Sequence, residues 1–258
     1  MELNRITTGE PGADPPVILA HGLFGAARNL GGLARRLEGR RRVQVDMRNH
    51  GDSPWSDDHS YPALADDLAR VIEAEGGVAD VVGHSMGGKA AMALSLMHPE
   101  KVRRLVVLDI APVAYNHSQA DIAAAAQSVD LAAVERRSDA DRLLAAAGVE
   151  DPGTRAFLLQ SLEVRPDARA RWRMNLDVLE GAMDGLTGWP EEALTPGAFD
   201  GPVLALHGAN SSYVSDKGRA GFGRWFPQAE LRRVEGCGHW LHAERPEAVG
   251  DAVAGFLA

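Results

Sequence analysis

The chain has a single cysteine, Cys237, so no disulfide can close within it, and this fits a reducing compartment. No apolar run approaches the ~18 residues that a bilayer span needs. The opening residues MELNRITTGE have neither a basic stretch nor an apolar segment, so no secretory signal is read there. Positive charge is in deficit. Against 36 Asp and Glu stand only 27 Lys and Arg, a net charge of −9, which repels nucleic-acid backbones and anionic membranes. Internal repeats are missing too, and the one biased tract is a short AAAA. These absences predict a soluble cytoplasmic protein that works without nucleic acid or membrane. The remainder is ordinary for a globular chain, with 45% hydrophobic and 24% charged residues in 258 positions. That length suits one medium domain, with room for a subdomain and a large core.

Short apolar, β-branched runs alternate with helical patterns. The runs are PVILAHG (16–22), RVQVDMR (42–48), ADVVGHS (79–85), RLVVLDI (104–110) and PVLALHG (202–208), with a more polar sixth, AELRRVEG (229–236), suited to a sheet edge. Near-continuous apolar strands separated by helices predict a mainly parallel sheet covered on both faces. The alternation breaks after Pro112. From 113 to 201 only helical patterns are read, including QADIAAAAQSVDL, TRAFLLQSL and ARARWRMNLDVLEGAM, and strands resume at Pro202. This divides the chain into a core, 1–112 with 202–258, and an all-helical insert over the strand ends.

Within the third run, Gly83-His84-Ser85-Met86-Gly87 has the form G-x-S-x-G, with a strand before it and a helix pattern after it. The glycines leave room for a sharp turn that would expose the Ser85 hydroxyl as a nucleophile. The backbone N–H of Met86 would then point from a helix N-terminus toward developing negative charge. A serine needs a base. His239, in the glycine-bounded loop Gly236-Cys237-Gly238-His239-Trp240 before the last helix pattern, is the best placed. His242 is its nearest rival, but it sits where the helix begins. Cys237 reads as a small buried filler. The base needs an acid, and Asp109, which ends the Leu-Val-Val-Leu stretch of RLVVLDI, would be partly buried and in want of a partner; Asp216 is the reserve. The second half of an oxyanion hole comes from His21-Gly22-Leu23-Phe24-Gly25, with the Leu23 N–H as donor and His21 bracing the loop. The polar loop DMRNHGDSP, with Asp46, Arg48, Asn49 and Gly51, and Lys89 after the elbow, read as scaffold supports.

Taken in order, HGLFGAARNLGGLARRL, VDMRNHGDSP, VGHSMGGKAAMAL, VVLDIAPVAY and GCGHWLHAERPEAV resemble the alpha/beta-hydrolase superfamily, and within it the small bacterial esterases of the YbfF type. The resemblance covers about 16–112 and 202–258 and is weak across the insert. It implies an alpha/beta-hydrolase fold, a mainly parallel sheet flanked by helices, with the cap inserted after the sixth strand. It implies ester hydrolysis by Ser85, His239 and Asp109, and no metal or organic cofactor. The superfamily often carries its acid as G-x-x-D after the seventh strand; here Ser211 stands in that place, and GANSSYVS matches the asparagine–serine replacement found in this group. That favours Asp109 over Asp216 and makes Ser211 a supporting group.

The pocket is expected to draw Phe157, Leu158, Trp172, Leu176, Leu179 and Met183 from the cap. From the core it is expected to draw Phe24, Met86, Tyr213 and Trp240. This apolar slot suits a small-molecule ester of short-to-medium acyl length, acted on by a monomer or homodimer. Arginines 165, 169, 171 and 173 offer an alternative, an anionic tail such as coenzyme A in a thioester, though on a helix they read as a solvated face. Carbon–carbon bond hydrolysis and perhydrolysis use the same triad. A serine at the elbow argues against dehalogenase and epoxide-hydrolase chemistry, which need a carboxylate there. A ligand-sensing receptor or an inactive scaffold is disfavoured by an intact triad.

Overall fold

The computed structural model describes residues 1–165 and 167–258. Seven strands form the central sheet: β1 (Arg5–Thr8), β2 (Val17–Ala20), β3 (Arg42–Val45), β4 (Ala79–His84), β5 (Val102–Leu108), then β8 (Val203–Gly208) and β9 (Glu230–Val234). Their order is β1-β3-β2-β4-β5-β8-β9, with β1 antiparallel to β3 and every other pairing parallel. β2, β4 and β8 are buried along their whole length, as expected for parallel strands covered on both faces. Side-chain alternation sorts them. Ile18, Val81 and Val107 enter one core, whereas Leu19, Val82, Val106 and Leu108 enter the other.

The helices close both faces. α1 (Gly31–Arg36) and α11 (Pro246–Leu257) cover one face through Leu33, Val249, Val253 and Leu257. On the other lie α2 (Tyr61–Ala74), with Leu64, Leu68 and Ile72, and α3 (Met86–Met97), with Met92 and Leu94. α9 (Asp216–Trp225) adds Phe222 and Trp225 to that side, and a single turn, α10 (Leu241–Glu244), precedes α11. β9 is a half-exposed polar edge strand, as its sequence predicted. Among the described residues no helix is long and apolar enough to cross a membrane.

The segment between β5 and β8 holds α4 (Ala120–Gln127), α5 (Arg137–Ala146), α6 (Pro152–Leu159), α7 (Leu176–Gly181) and α8 (Met183–Thr187). It is not all-helical. β6 (Leu162–Arg165) and β7 (Ala168–Trp172) form an antiparallel pair with Leu162 opposite Trp172. The expected helix at ARARW fails because its pattern has a period of two: Ala170 and Trp172 are buried while Arg169 and Arg171 are exposed. The insert leaves the sheet after the fifth strand, not the sixth, because β1 is the single described strand preceding β2.

Register sets the position of the site. Ala20 pairs with Gly83, His84 with Leu108, Leu108 with Leu206, and Gly208 with Val234. The chain therefore leaves four neighbouring parallel strands at one edge, carrying the 21–25 loop, Ser85, Asp109 and Ser211 to the same end of the sheet.

Candidate active site

Ser85 sits between β4 and α3 at φ 52°, ψ −119°, strained for a residue with a side chain. The turn is that tight because its glycines touch backbone. A Cβ on Gly83 would lie 2.2 Å from the Gly87 carbonyl oxygen, and one on Gly87 would lie 2.4 Å from that of Ala20. The Ser85 N–H donates to the Leu108 carbonyl (3.0 Å), which ties the elbow to β5.

Beyond β5, Asp109 also has a positive φ, 52°, and is fully buried. Its Oδ1 accepts from the Gly208 N–H (2.9 Å), and its Oδ2 from the Ser211 hydroxyl (2.5 Å) and from Nδ1 of His239 (2.8 Å). The same imidazole brings Nε2 to 3.0 Å from the Ser85 Oγ. A carboxylate can only accept, so Nδ1 carries the proton and Nε2 is left to accept from the serine. Four elements remote in sequence thus converge in one hydrogen-bonded line, Ser85–His239–Asp109, with Ser211 behind it.

The His239 loop is fixed from below. The Glu244 carboxylate accepts from the N–H groups of Gly238 (2.9 Å) and Trp240 (3.2 Å), and Asn210 N–H donates to the Cys237 carbonyl (2.9 Å). Cys237 is a buried thiol against the Val234 carbonyl, and burial raises its pKa. His242 packs on His84 with ring centroids 4.5 Å apart, and burial pushes its pKa down to about 4. It stands outside the line to Ser85. His84 donates through Nε2 to the His239 carbonyl (2.9 Å), and burial holds its pKa far below the usual value.

The 21–25 loop is braced by hydrogen bonds to neighbouring segments. His21 donates from Nδ1 to the Gly22 carbonyl (2.7 Å) and accepts at Nε2 from Met47 N–H (2.9 Å), and burial lowers its pKa. His50 accepts from the Phe24 N–H (3.2 Å), and the Ser161 hydroxyl donates to the Phe24 carbonyl (2.8 Å). The N–H groups of Leu23 and Met86 make no hydrogen bond among the described residues. Asp46 receives the N–H groups of Ala27 (2.7 Å) and Asp52 (2.9 Å), and Arg48 pairs with Asp67 (2.7 Å), so the DMRNHGDSP segment holds this loop in place.

Two cavities meet at Ser85. The larger, about 260 Å³, is bounded by Phe24, Phe157, Leu158, His239 and Trp240; the smaller, about 60 Å³, by Tyr61, Met86, Ile110, Met183 and Leu186. Leu23 and Tyr213 border both. Of the residues expected at the pocket, Phe24, Tyr213, Trp240 and Met183 border these cavities. Trp172 and Leu176 do not. Both are buried in the insert, where the Trp172 indole donates to the Ala126 carbonyl (2.9 Å), and Leu179 is buried with them. Arg171 and Arg165 pair with Glu163 on the hairpin and Arg173 with Asp52, Arg169 is exposed on β7, and none of the four borders either cavity.

Sequence reading missed Glu244, and it placed Tyr213 only in the pocket wall and Lys89 only among the scaffold supports. Tyr213 stacks on His239, with ring centroids 4.1 Å apart and planes 21° from parallel. Glu244 anchors the histidine loop, and its signal is an acid placed to receive N–H groups at the start of α10. Lys89 is buried, its Nζ donating to the carbonyls of Leu186 (3.3 Å), Thr187 (3.1 Å) and Gly188 (2.5 Å) at the C-terminal end of α8.

A family model described as "alpha/beta hydrolase fold" matches residues 15–246. The chain is 42% identical over 255 residues to the sn-1-specific diacylglycerol lipase ABHD11 of Mus musculus, covering 95% of this chain and 81% of that protein. It is 40% identical over 245 residues to Esterase YbfF of Escherichia coli (strain K12), covering 94% and 92%. A solved structure, a marine microorganism esterase, superimposes with a TM-score of 0.92 at 34% identity over 99% of both chains.

Proposed function

This chain belongs to the alpha/beta-hydrolase family, and on that footing we propose that it is a serine esterase acting on carboxylic esters of short-to-medium acyl length. The observation that carries the reading is the unbroken line from Ser85 through His239 to Asp109, at 3.0 and 2.8 Å, beside two N–H groups unpartnered among the described residues. Its relatives include esterases and a lipase, which agrees with an ester substrate. We further propose residues 113–201 as a cap over the site, and a cytoplasmic enzyme acting as monomer or homodimer.

In this reading the Ser85 oxygen attacks the ester carbonyl while Nε2 of His239 takes the hydroxyl proton. Asp109 holds the Nδ1–H tautomer and stabilises the imidazolium. The carbonyl oxygen becomes an oxyanion held by the N–H groups of Leu23 and Met86, each worth ~3–4 kcal/mol of barrier. Collapse breaks the C–O bond, and His239 returns its proton to the departing alkoxide, leaving an acyl-serine. Water, deprotonated by the same imidazole, repeats the sequence and frees the carboxylic acid. Arginines 165, 169, 171 and 173 border neither cavity at Ser85, so they give no support to a thioester with an anionic tail.

The test is initial rates on p-nitrophenyl esters from acetyl to palmitoyl, for the wild type and for Ser85→Ala. Turnover that vanishes in the variant is the expected result. Activity retained by Ser85→Ala, or none in the wild type on any ester, overturns the proposal.

A further inference from the structure

We infer that the two cavities divide the substrate, with the acyl chain in the small cavity beside Met183 and the alcohol in the large one beside Phe157, so that the enzyme takes short acyl groups on bulky alcohols. This rests on the esterase reading and deepens it.

The argument starts from where each substituent of the attacked carbon must point. The carbonyl oxygen faces the N–H groups of Leu23 and Met86. The leaving oxygen must lie within reach of His239 Nε2, which returns the proton to it. The acyl chain takes the remaining direction, away from His239. Of the two cavities that open on Ser85, only the larger has His239 in its wall. The alcohol belongs there, against Phe157 and Trp240, whose rings lie 5.6 Å apart. The smaller cavity has Met86 in its wall and no His239, so it receives the acyl chain.

Size then sets specificity. About 60 Å³ leaves room for a short chain, on the scale of acetyl to pentanoyl. The alcohol side, about 260 Å³, is several times larger. The acyl pocket has one wall tied to the core. Met183 and Leu186 close it from α8, and α8 is fastened to the core by the Tyr61 hydroxyl donating to the Leu186 carbonyl (2.8 Å) and by Lys89 donating to three successive carbonyls. Movement of α8 cannot lengthen this pocket without breaking these bonds.

The experiment is a two-way series: kcat/KM for p-nitrophenyl esters of rising acyl length, and for acetates of rising alcohol size from ethyl to 1-naphthyl. The wild type is expected to lose at least about tenfold between pentanoate and octanoate, since a methylene that does not fit costs about ten- to 200-fold. On the alcohol side it is expected to gain with size. Met183→Ala is expected to raise the octanoate-to-butyrate ratio by about tenfold, and Phe157→Ala to lower the naphthyl-to-ethyl ratio. Met183→Val, a smaller excision, keeps the test open if the alanine variant does not fold. Ser85-dependent turnover in which octanoate is preferred, or in which Met183→Ala changes the alcohol ratio and not the acyl ratio, overturns the division while leaving an esterase. Absence of any Ser85-dependent turnover overturns both.

Discussion

The hydroxyl of Ser211 lies 2.5 Å from Oδ2 of Asp109, the same oxygen that receives Nδ1 of His239. Asp109 has no exposure to solvent, so its carboxylate depends on the Ser211 hydroxyl, the His239 imidazole and the Gly208 N–H for the hydrogen bonds that water would otherwise supply. Ser211→Ala removes one of them. Hydrogen bonds to charged groups contribute ~1.5–3 kcal/mol, and the variant is expected to lose about that much stability in urea unfolding together with about tenfold in kcat. Ser211→Asp is expected to be worse, because two carboxylates would then share one buried site. An unchanged kcat in Ser211→Ala would remove the serine from the supporting role.

The position of the acid can be tested by paired amides. Asp109→Asn keeps the shape of the side chain but offers an N–H where His239 Nδ1 needs an acceptor, favouring the wrong tautomer. A loss of about 10³–10⁴ in kcat is expected. Asp216, exposed at the start of α9, is expected to tolerate Asp216→Asn within about twofold, the usual scale for a surface change. Steady-state kinetics of the two variants side by side decides the assignment. A larger loss in Asp216→Asn would reverse it.

Ser85, His239 and Asp109 were legible because each ends or follows a strand-like run, and parallel strands deliver their C-terminal residues to one edge. The missing aspartate at Ser211 was legible for the same reason, as a gap in an ordered pattern. The hairpin at β6 and β7 was hidden by composition. Alanine and arginine favour helix locally, and only the period-two burial of Ala170 and Trp172 overrides that preference. Trp172 and Leu176 were assigned to the pocket because apolar residues in an insert face either the substrate or one another, and sequence does not distinguish the two. The bracing of the 21–25 loop by His50 and Ser161, and the anchoring of α8 by Lys89, join segments more than twenty residues apart, and no local pattern reports such pairings.

Tyr213 covers the face of His239 at 4.1 Å, so the imidazolium formed during the reaction lies over an aromatic ring. Such contacts contribute ~0.5–2 kcal/mol. Tyr213→Phe keeps the ring and is expected to keep most of the rate. Tyr213→Leu is expected to lose about two- to thirtyfold in kcat with a smaller change in KM, since the charge exists only after proton transfer. Equal losses in the two variants would shift the effect from the ring to the hydroxyl, which is 3.4 Å from Gln119 Nε2.

Lys89 is a buried cation with no carboxylate partner among the described residues, held by carbonyls of Leu186, Thr187 and Gly188 and by the rings of Tyr115 and Tyr61, 4.7 and 5.5 Å away. Burial, with a smaller contribution from Lys217, pushes its pKa down from 10.5 to about 7. Below about pH 7 both folded and unfolded chains carry the proton, and the folded state bears the whole cost of burying the charge. Between about 7 and 10.5 the folded chain gives up a proton that the unfolded chain keeps, so this group's contribution to stability rises with pH. Lys89→Met removes that dependence and leaves carbonyls at the end of α8 without a donor, at ~1–3 kcal/mol. Urea unfolding at pH 7 and pH 9.5 is expected to show the wild type gaining stability relative to the variant as pH rises. Parallel pH dependences in the two proteins would mean that Lys89 keeps its proton across the window, and the carbonyl cradle would then be holding a permanent ammonium.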